Sequence, residues 1–125
     1  MPLVPEGELS ARGELESVNP TREPGVVVAE FRLSEPEGRM SVELPSSLAR
    51  YLAEGPWAIT LSRERPEVGE DRIALRAVVY EIREKLLRAS AHGFLVDVEF
   101  SKRVEFLNRL MPDDVIYISI GRVSG

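Results

Sequence analysis

Leu86-Leu87-Arg88-Ala89-Ser90-Ala91-His92-Gly93-Phe94-Leu95-Val96-Asp97-Val98-Glu99-Phe100 decides how the rest of this chain is read. Its second half alternates: Phe94, Val96, Val98 and Phe100 point one way, Leu95, Asp97 and Glu99 the other. A period of two marks a strand with one face on a core. Gly93 stands just ahead of it, where a strand interior avoids glycine unless a bulge, a bend or a close backbone approach requires one. The expectation is one long strand kinked at its middle, a device that curls a sheet into a barrel. No residue of the stretch carries a catalytic pattern.

Working outward, the same alternation recurs on both sides. Residues 25–33 place Val27, Ala29, Phe31 and Leu33 on one face, and residues 39–44 do so with Met40, Val42 and Leu44. Between them Glu35-Pro36-Glu37-Gly38 reads as a turn with Gly38 free to take positive φ, so the two runs form a hairpin. Residues 9–18 are a first strand weakened by Gly13, entered from a loose lead over 1–8 and left by a turn over 19–25. Pro45-Ser46-Ser47 opens a short helix that Ser46 or Ser47 can cap, and Gly55-Pro56 stops it.

Residues 57–62 form another strand, 63–69 a loop containing Arg65-Pro66, and 72–82 a strand apolar on both faces in places (Ile73, Leu75, Val78, Val79, Tyr80). Downstream, Val104, Leu107 and Leu110 predict a helix over 101–110, ended by Pro112. Asp113-Asp114 then turns the chain into a last strand carrying Ile116, Ile118 and Ile120, with residues 121–125 trailing off. Seven or eight short strands and two small helical inserts make one all-β domain over 1–125. The expected architecture is a small antiparallel barrel of oligonucleotide-binding type.

Composition narrows the functional classes. A chain of 125 residues, 43% apolar and 30% charged, suits one soluble domain. Apolar runs such as Val26-Val27-Val28-Ala29 are only four residues long, so no membrane span is expected, and the first residues lack the n- and h-regions of a secretory signal. With no cysteine, disulfide scaffolds and thiolate metal sites are excluded. The expected compartment is the cytoplasm. Seventeen Glu against four Asp, fourteen Arg against two Lys, and no Gln hint at a hot-living source. The net charge of −5 argues against a dedicated nucleic-acid binder with a basic stripe, although residues 83–110 carry six basic and four acidic side chains.

Candidate chemistry is sparse. His92 is the only histidine; with Ser90 two residues away it lacks a nucleophile-elbow pattern, and it reads as a polar residue beside a bend. Asp113-Asp114 reads as turn chemistry rather than a paired acid and base. No glycine-rich run precedes Lys-Ser or Lys-Thr, so no phosphate cradle is present. No metal, no cofactor and no catalysis are expected. Single-strand binding wants exposed aromatics among basic residues, whereas Phe31, Trp57, Phe94 and Phe100 fall on apolar faces.

Four collinear stretches resemble the eighth small subunit of nuclear RNA polymerases. They are Arg65-Pro66 in a loop, Val79-Tyr80-Glu81-Ile82 at a strand end, Ser90-Ala91-His92-Gly93-Phe94-Leu95-Val96, and Asp114-Val115-Ile116-Tyr117. The archaeal counterpart of that subunit is the nearer match, and the resemblance runs over residues 9–122. It implies an eight-stranded barrel of oligonucleotide-binding type in a non-catalytic subunit docked on the largest polymerase subunit, away from the active centre. Its partner interface is expected to use main-chain edges with Arg65, Pro66, Gly93, Phe94 and Leu95, Arg65 making a charge-assisted contact. The nuclear proteins carry a glycine pair at His92-Gly93, a glycine at Ala77, and a long acidic loop before Arg-Pro. Here Leu61 reaches Arg65 directly, as expected of the archaeal form, and contacts made by that loop do not carry over. The alternative is a free single-stranded nucleic-acid-binding barrel.

Overall fold

The computed structural model describes residues 8–53, 55–66 and 72–123. Alternating apolar residues produce eight strands: β1 (Glu8–Pro20), β2 (Val26–Ser34), β3 (Gly38–Pro45), β4 (Pro56–Ser62), β5 (Arg72–Ile82), β6 (Leu86–Ala91), β7 (Phe94–Phe100) and β8 (Val115–Arg122). Helix α1 (Ser46–Ala49) joins β3 to β4, and α2 (Glu105–Asn108) lies between β7 and β8. The strands close into an antiparallel barrel in the order β1-β2-β3-β7-β6-β5-β8-β4, with β4 returning to β1. This is the expected barrel with two short helical inserts, and closure gives every strand a partner on both sides over at least part of its length. No described helix is long and apolar enough to cross a membrane. Of the lead expected over 1–8, only Glu8 is described, and it already belongs to β1; of the loop over 63–69, residues 67–69 lie outside the described residues.

Residues 86–100 form a hairpin, not one kinked strand. β6 and β7 pair from Leu86↔Glu99 to Ala91↔Phe94, with His92-Gly93 as a two-residue turn. Both central residues have positive φ, 53° at His92 and 90° at Gly93, which matches the turn type that follows the right-handed twist of paired strands. Glycine accepts that conformation freely and histidine tolerates it better than most side chains.

Two bulges explain where simple alternation failed. In β5 the register with β6 shifts between Val79 and Glu81, so Tyr80 is the extra residue. Inward positions therefore run Ile73, Leu75, Ala77 and Val79, then skip to Ile82 opposite Leu87. The strand expected to be apolar on both faces is a one-sided strand that slips by one residue. A second shift in β1 between Leu15 and Ser17 does the same at Glu16.

Other expectations fail at their ends. Gly38 does not take positive φ; Glu35 does, at 52°, while Gly38 begins β3 opposite Phe100. Neither Ser46 nor Ser47 caps α1: Pro45 holds the N-cap position, and the Ser46 N–H donates to the Gly25 carbonyl at 2.8 Å. A neighbouring turn thus supplies the acceptor that the serine hydroxyl was expected to provide. The helix stops at Ala49, before Gly55-Pro56 is reached. Only residues 105–108 of the helix expected over 101–110 are α-helical. Leu107, Arg109 and Leu110 donate to the carbonyls three residues back, and a three-residue repeat suits tight single turns. The trailing end expected from 121 begins later, since β8 runs through Arg122.

The core lies inside the barrel. Phe31, Met40, Leu44, Leu87, Ile116, Ile118 and Ile120 are almost wholly buried, and Val104, Phe106, Leu107 and Leu110 of the α2 segment join the same cluster. Among the described residues the void between Leu9, Met40, Ile59 and Phe100 has a volume of about 10 Å³, no larger than one water requires. The barrel is filled by its own side chains.

Candidate functional site: an arginine-lined cleft at an open strand edge

β5 has eleven residues and β6 only six. On one side β5 pairs with β8 from Arg72↔Gly121 to Val78↔Val115, while pairing with β6 on the other begins only at Val78↔Ser90. Residues 72–77 therefore have a partner on one side alone among the described residues. Val79 shows which groups are left over. Its N–H donates to the Asp114 carbonyl at 2.9 Å and its carbonyl accepts from the Asp113 N–H at 2.7 Å, so odd-numbered residues of β5 face β8. The antiparallel repeat then turns the N–H and C=O of Arg72, Ala74 and Arg76 toward the open side.

A cleft of about 1150 Å³ lies against this segment. Its apolar floor includes Leu48 from the α1 turn, Trp57 of β4, Ile73 and Leu75 of β5, and Ile120 of β8. Around the floor stand Arg65, Arg72, Arg76 and Arg122, with Pro66, Tyr51 and Tyr117, and no described carboxylate lines the cleft. The ion pairs among the described residues use other arginines: Arg12, Arg63, Arg83, Arg88 and Arg103. On a chain of net charge −5, four guanidinium groups with no carboxylate partner among the described residues form a local positive field.

Local structure holds these groups in place. The Trp57 Nε1–H donates to the Ala53 carbonyl at 2.9 Å, tying the α1–β4 connection to the barrel wall. The Arg122 guanidinium stands 5.7 Å from the Trp57 ring centroid, a cation–π distance, and is opposite Trp57 in register. Arg72 lies across Gly121: a Cβ there would come within 3.1 Å of the Arg72 Cγ, so the bare backbone gives the side chain its bed.

The interface residues expected from the sequence fall into two groups. Arg65 and Pro66 line the cleft. Gly93, Phe94 and Leu95 lie at the β6–β7 turn and are not among the lining residues: Gly93 is exposed, Phe94 half-buried, and Leu95 exposed with its N–H donating to the Glu43 carboxylate at 2.8 Å. That carboxylate bonds Leu95 just past Val42↔Val96, where the β3–β7 register ends. Arg72, Arg76, Arg122, Tyr51 and Tyr117 were not anticipated. The available signal was the pair Arg72 and Arg76, on one face of a mostly apolar strand, which becomes a site only when the missing β6 partner is known.

Beside Leu95, the outer faces of β5, β6 and β7 carry Val78, Tyr80 and an ion network in which Arg88 meets Glu81 at 3.4 Å and Asp97 at 3.5 Å. Burial, and then the Asp97 carboxylate, push the Tyr80 phenol above its ordinary value of 10.0, against a lowering by Arg88. The folded state thus holds this proton longer than the unfolded chain, so the associated stability is intact below pH 10.0 and declines as pH rises through the folded value. The phenol phase that Tyr80→Phe removes from an ultraviolet difference titration should lie above pH 10.0, and one at or below that value would overturn the assignment.

At the Asp113-Asp114 turn, the Met111 N–H donates to the Asp114 carboxylate at 2.8 Å and Asp113 has φ 76°. This is the turn role expected of the pair. Among the described residues no cluster of three or more His, Cys, Asp or Glu is placed to hold a metal. No protein-family model matches the chain, and no curated protein is significantly similar to it.

Proposed function

We propose that the chain is a non-catalytic docking subunit of a multisubunit DNA-directed RNA polymerase of archaeal type, seated on the largest subunit. The observation that carries this reading is the open edge of β5 beside a cleft that contains Arg65-Pro66, one of the four stretches that carry the resemblance. A barrel whose interior is packed with its own side chains works through its surface, and an unpaired edge with an apolar floor is a surface for protein contact. A standard interface hides about 800 Å² per partner, a tenth of the 8108 Å² this chain exposes.

The tagged chain should retain the largest polymerase subunit through copurification from an archaeal source. Substituting Arg65 and Phe94 by Ala should cut that retention by about tenfold or more while the barrel stays folded. A folded double variant that binds as before would remove this surface from the reading. Failure of the wild-type chain to retain the subunit would remove the reading itself.

A second reading, a free single-stranded nucleic-acid-binding barrel, is favoured by Tyr51 and Tyr117 standing among the four arginines. It requires oligonucleotide affinity that falls steeply with salt. Titration with oligo-dT at low salt decides it, since no binding there ends it.

A further inference from the structure

We infer that the cleft takes an extended partner segment of alternating acidic and apolar residues, added as an extra strand to the open edge of β5. This rests on the docking reading and names what docks. The main-chain groups of Arg72, Ala74 and Arg76 offer donors and acceptors spaced for a strand, and a phosphodiester backbone has no matching row of N–H donors. Side-chain and main-chain alternation coincide along β5. The residues whose amides face the opening, Arg72, Ala74 and Arg76, carry exposed outward side chains, while Ile73 and Leu75 are half-buried toward the floor.

An added strand would therefore lay every second side chain beside Arg72 and Arg76, about 13 Å apart along the strand, and the others over Ile73 and Leu75. Opposite charges and apolar pairs across strands are the favourable combinations, and like charges the unfavourable one. Four arginines with no described carboxylate partner select acidic residues for the outer positions. Trp57 is buried in the floor and bonded through Nε1, so it offers no free ring for a stacked base.

The test uses the full chain, so that Glu67, Glu70 and Asp71, which precede Arg72 in sequence, are retained. The probe is a fluorescein-labelled peptide of about eight residues alternating Glu with Leu or Val, long enough to cover the open segment. Three controls accompany it: its scramble, its backbone N-methylated form, and oligo-dT. The alternating peptide should bind by anisotropy about tenfold or more tightly than the scrambled and N-methylated forms. Ala74→Pro should abolish the difference without loosening the barrel, since it deletes an N–H facing the opening rather than β8 and adds a ring in the path of an incoming strand. Arg72→Glu with Arg76→Glu should weaken binding about tenfold and reverse the preference toward a Lys-for-Glu peptide.

Equal binding of all peptides would overturn the inference, as would Ala74→Pro binding like wild type. Tight oligo-dT binding that Ala74→Pro leaves intact would assign the arginines to nucleic acid instead. A concentration-dependent dimer abolished by Ala74→Pro would name a second copy as the occupant and equally overturn it. If Ala74→Pro still copurifies with the largest polymerase subunit, the edge inference fails while the docking reading stands. If no subunit is retained but the peptide binds with the stated selectivity, the reverse holds.

Discussion

Phe31→Ala is expected to lower the free energy of unfolding by about 3–5 kcal/mol. Phe31 is 1% exposed and lies in register between Leu15 of β1 and Met40 of β3. Its ring leans toward Gly13, whose missing side chain leaves the space that the ring edge and the Ile59 side chain occupy. Deleting the ring opens a cavity where three strands meet. Met40 is flexible enough to lean into part of it, which limits the cost rather than cancelling it. Phe31→Leu keeps most of the volume and should cost about 1–2 kcal/mol. Urea unfolding followed by tryptophan fluorescence reads both, since a small domain of total stability about 5–15 kcal/mol would be left marginal by the alanine. An alanine variant within about 1 kcal/mol of wild type would mean that the packing around Phe31 collapses far more freely than close-packed barrel layers allow.

The barrel was legible because each strand follows a two-residue rule that burial enforces. Where the period held unbroken, as in β2, β3 and β7, the inward residues were those read from the sequence. Where a bulge inserted Tyr80, the rule itself changed phase, and a one-sided strand looked two-sided. A bulge is set by both strands of a pair, so neither strand alone announces it. The His92-Gly93 turn was missed for a local reason. Two-residue hairpin turns favour Asn-Gly or Asp-Gly, and a histidine in the first position hides the signal. Both readings of Gly93, a kink and a turn, lead to a curved sheet, which is why the barrel survived the error.

The candidate site was half legible. Arg65 and Pro66 were marked by resemblance, and the cleft contains them. Arg72, Arg76 and Arg122 lie on two different strands and gather only because β8 joins β5 to β4. What makes them a site is the length difference between β5 and β6, a property of pairing that no local pattern encodes. The sequence offered charge scattered along the chain; closure of the barrel concentrated it on one edge.

Gly38→Ala is expected to cost about 3 kcal/mol, at the upper end for overpacking, and the reason separates this glycine from Gly93. Gly38 opens β3 opposite Phe100, is buried, and has backbone outside the positive-φ region. A Cβ there would overlap the Glu99 carbonyl oxygen and press on the Phe100 Cα at 3.0 Å. Both obstacles are main chain, so no rotamer change relieves them, and the β3–β7 ladder must part where it starts. Gly93 presents the opposite case: φ is 90° and a Cβ would meet nothing within 4 Å. Gly93→Ala should therefore cost only the conformational strain of about 1–2 kcal/mol, and Gly93→Asn less, because asparagine tolerates positive φ. Denaturation midpoints of the three variants order these two mechanisms directly. If Gly38→Ala proved milder than Gly93→Ala, the strand would be giving way at Gly38, and the tight β3–β7 approach would not be what holds the front of the barrel closed.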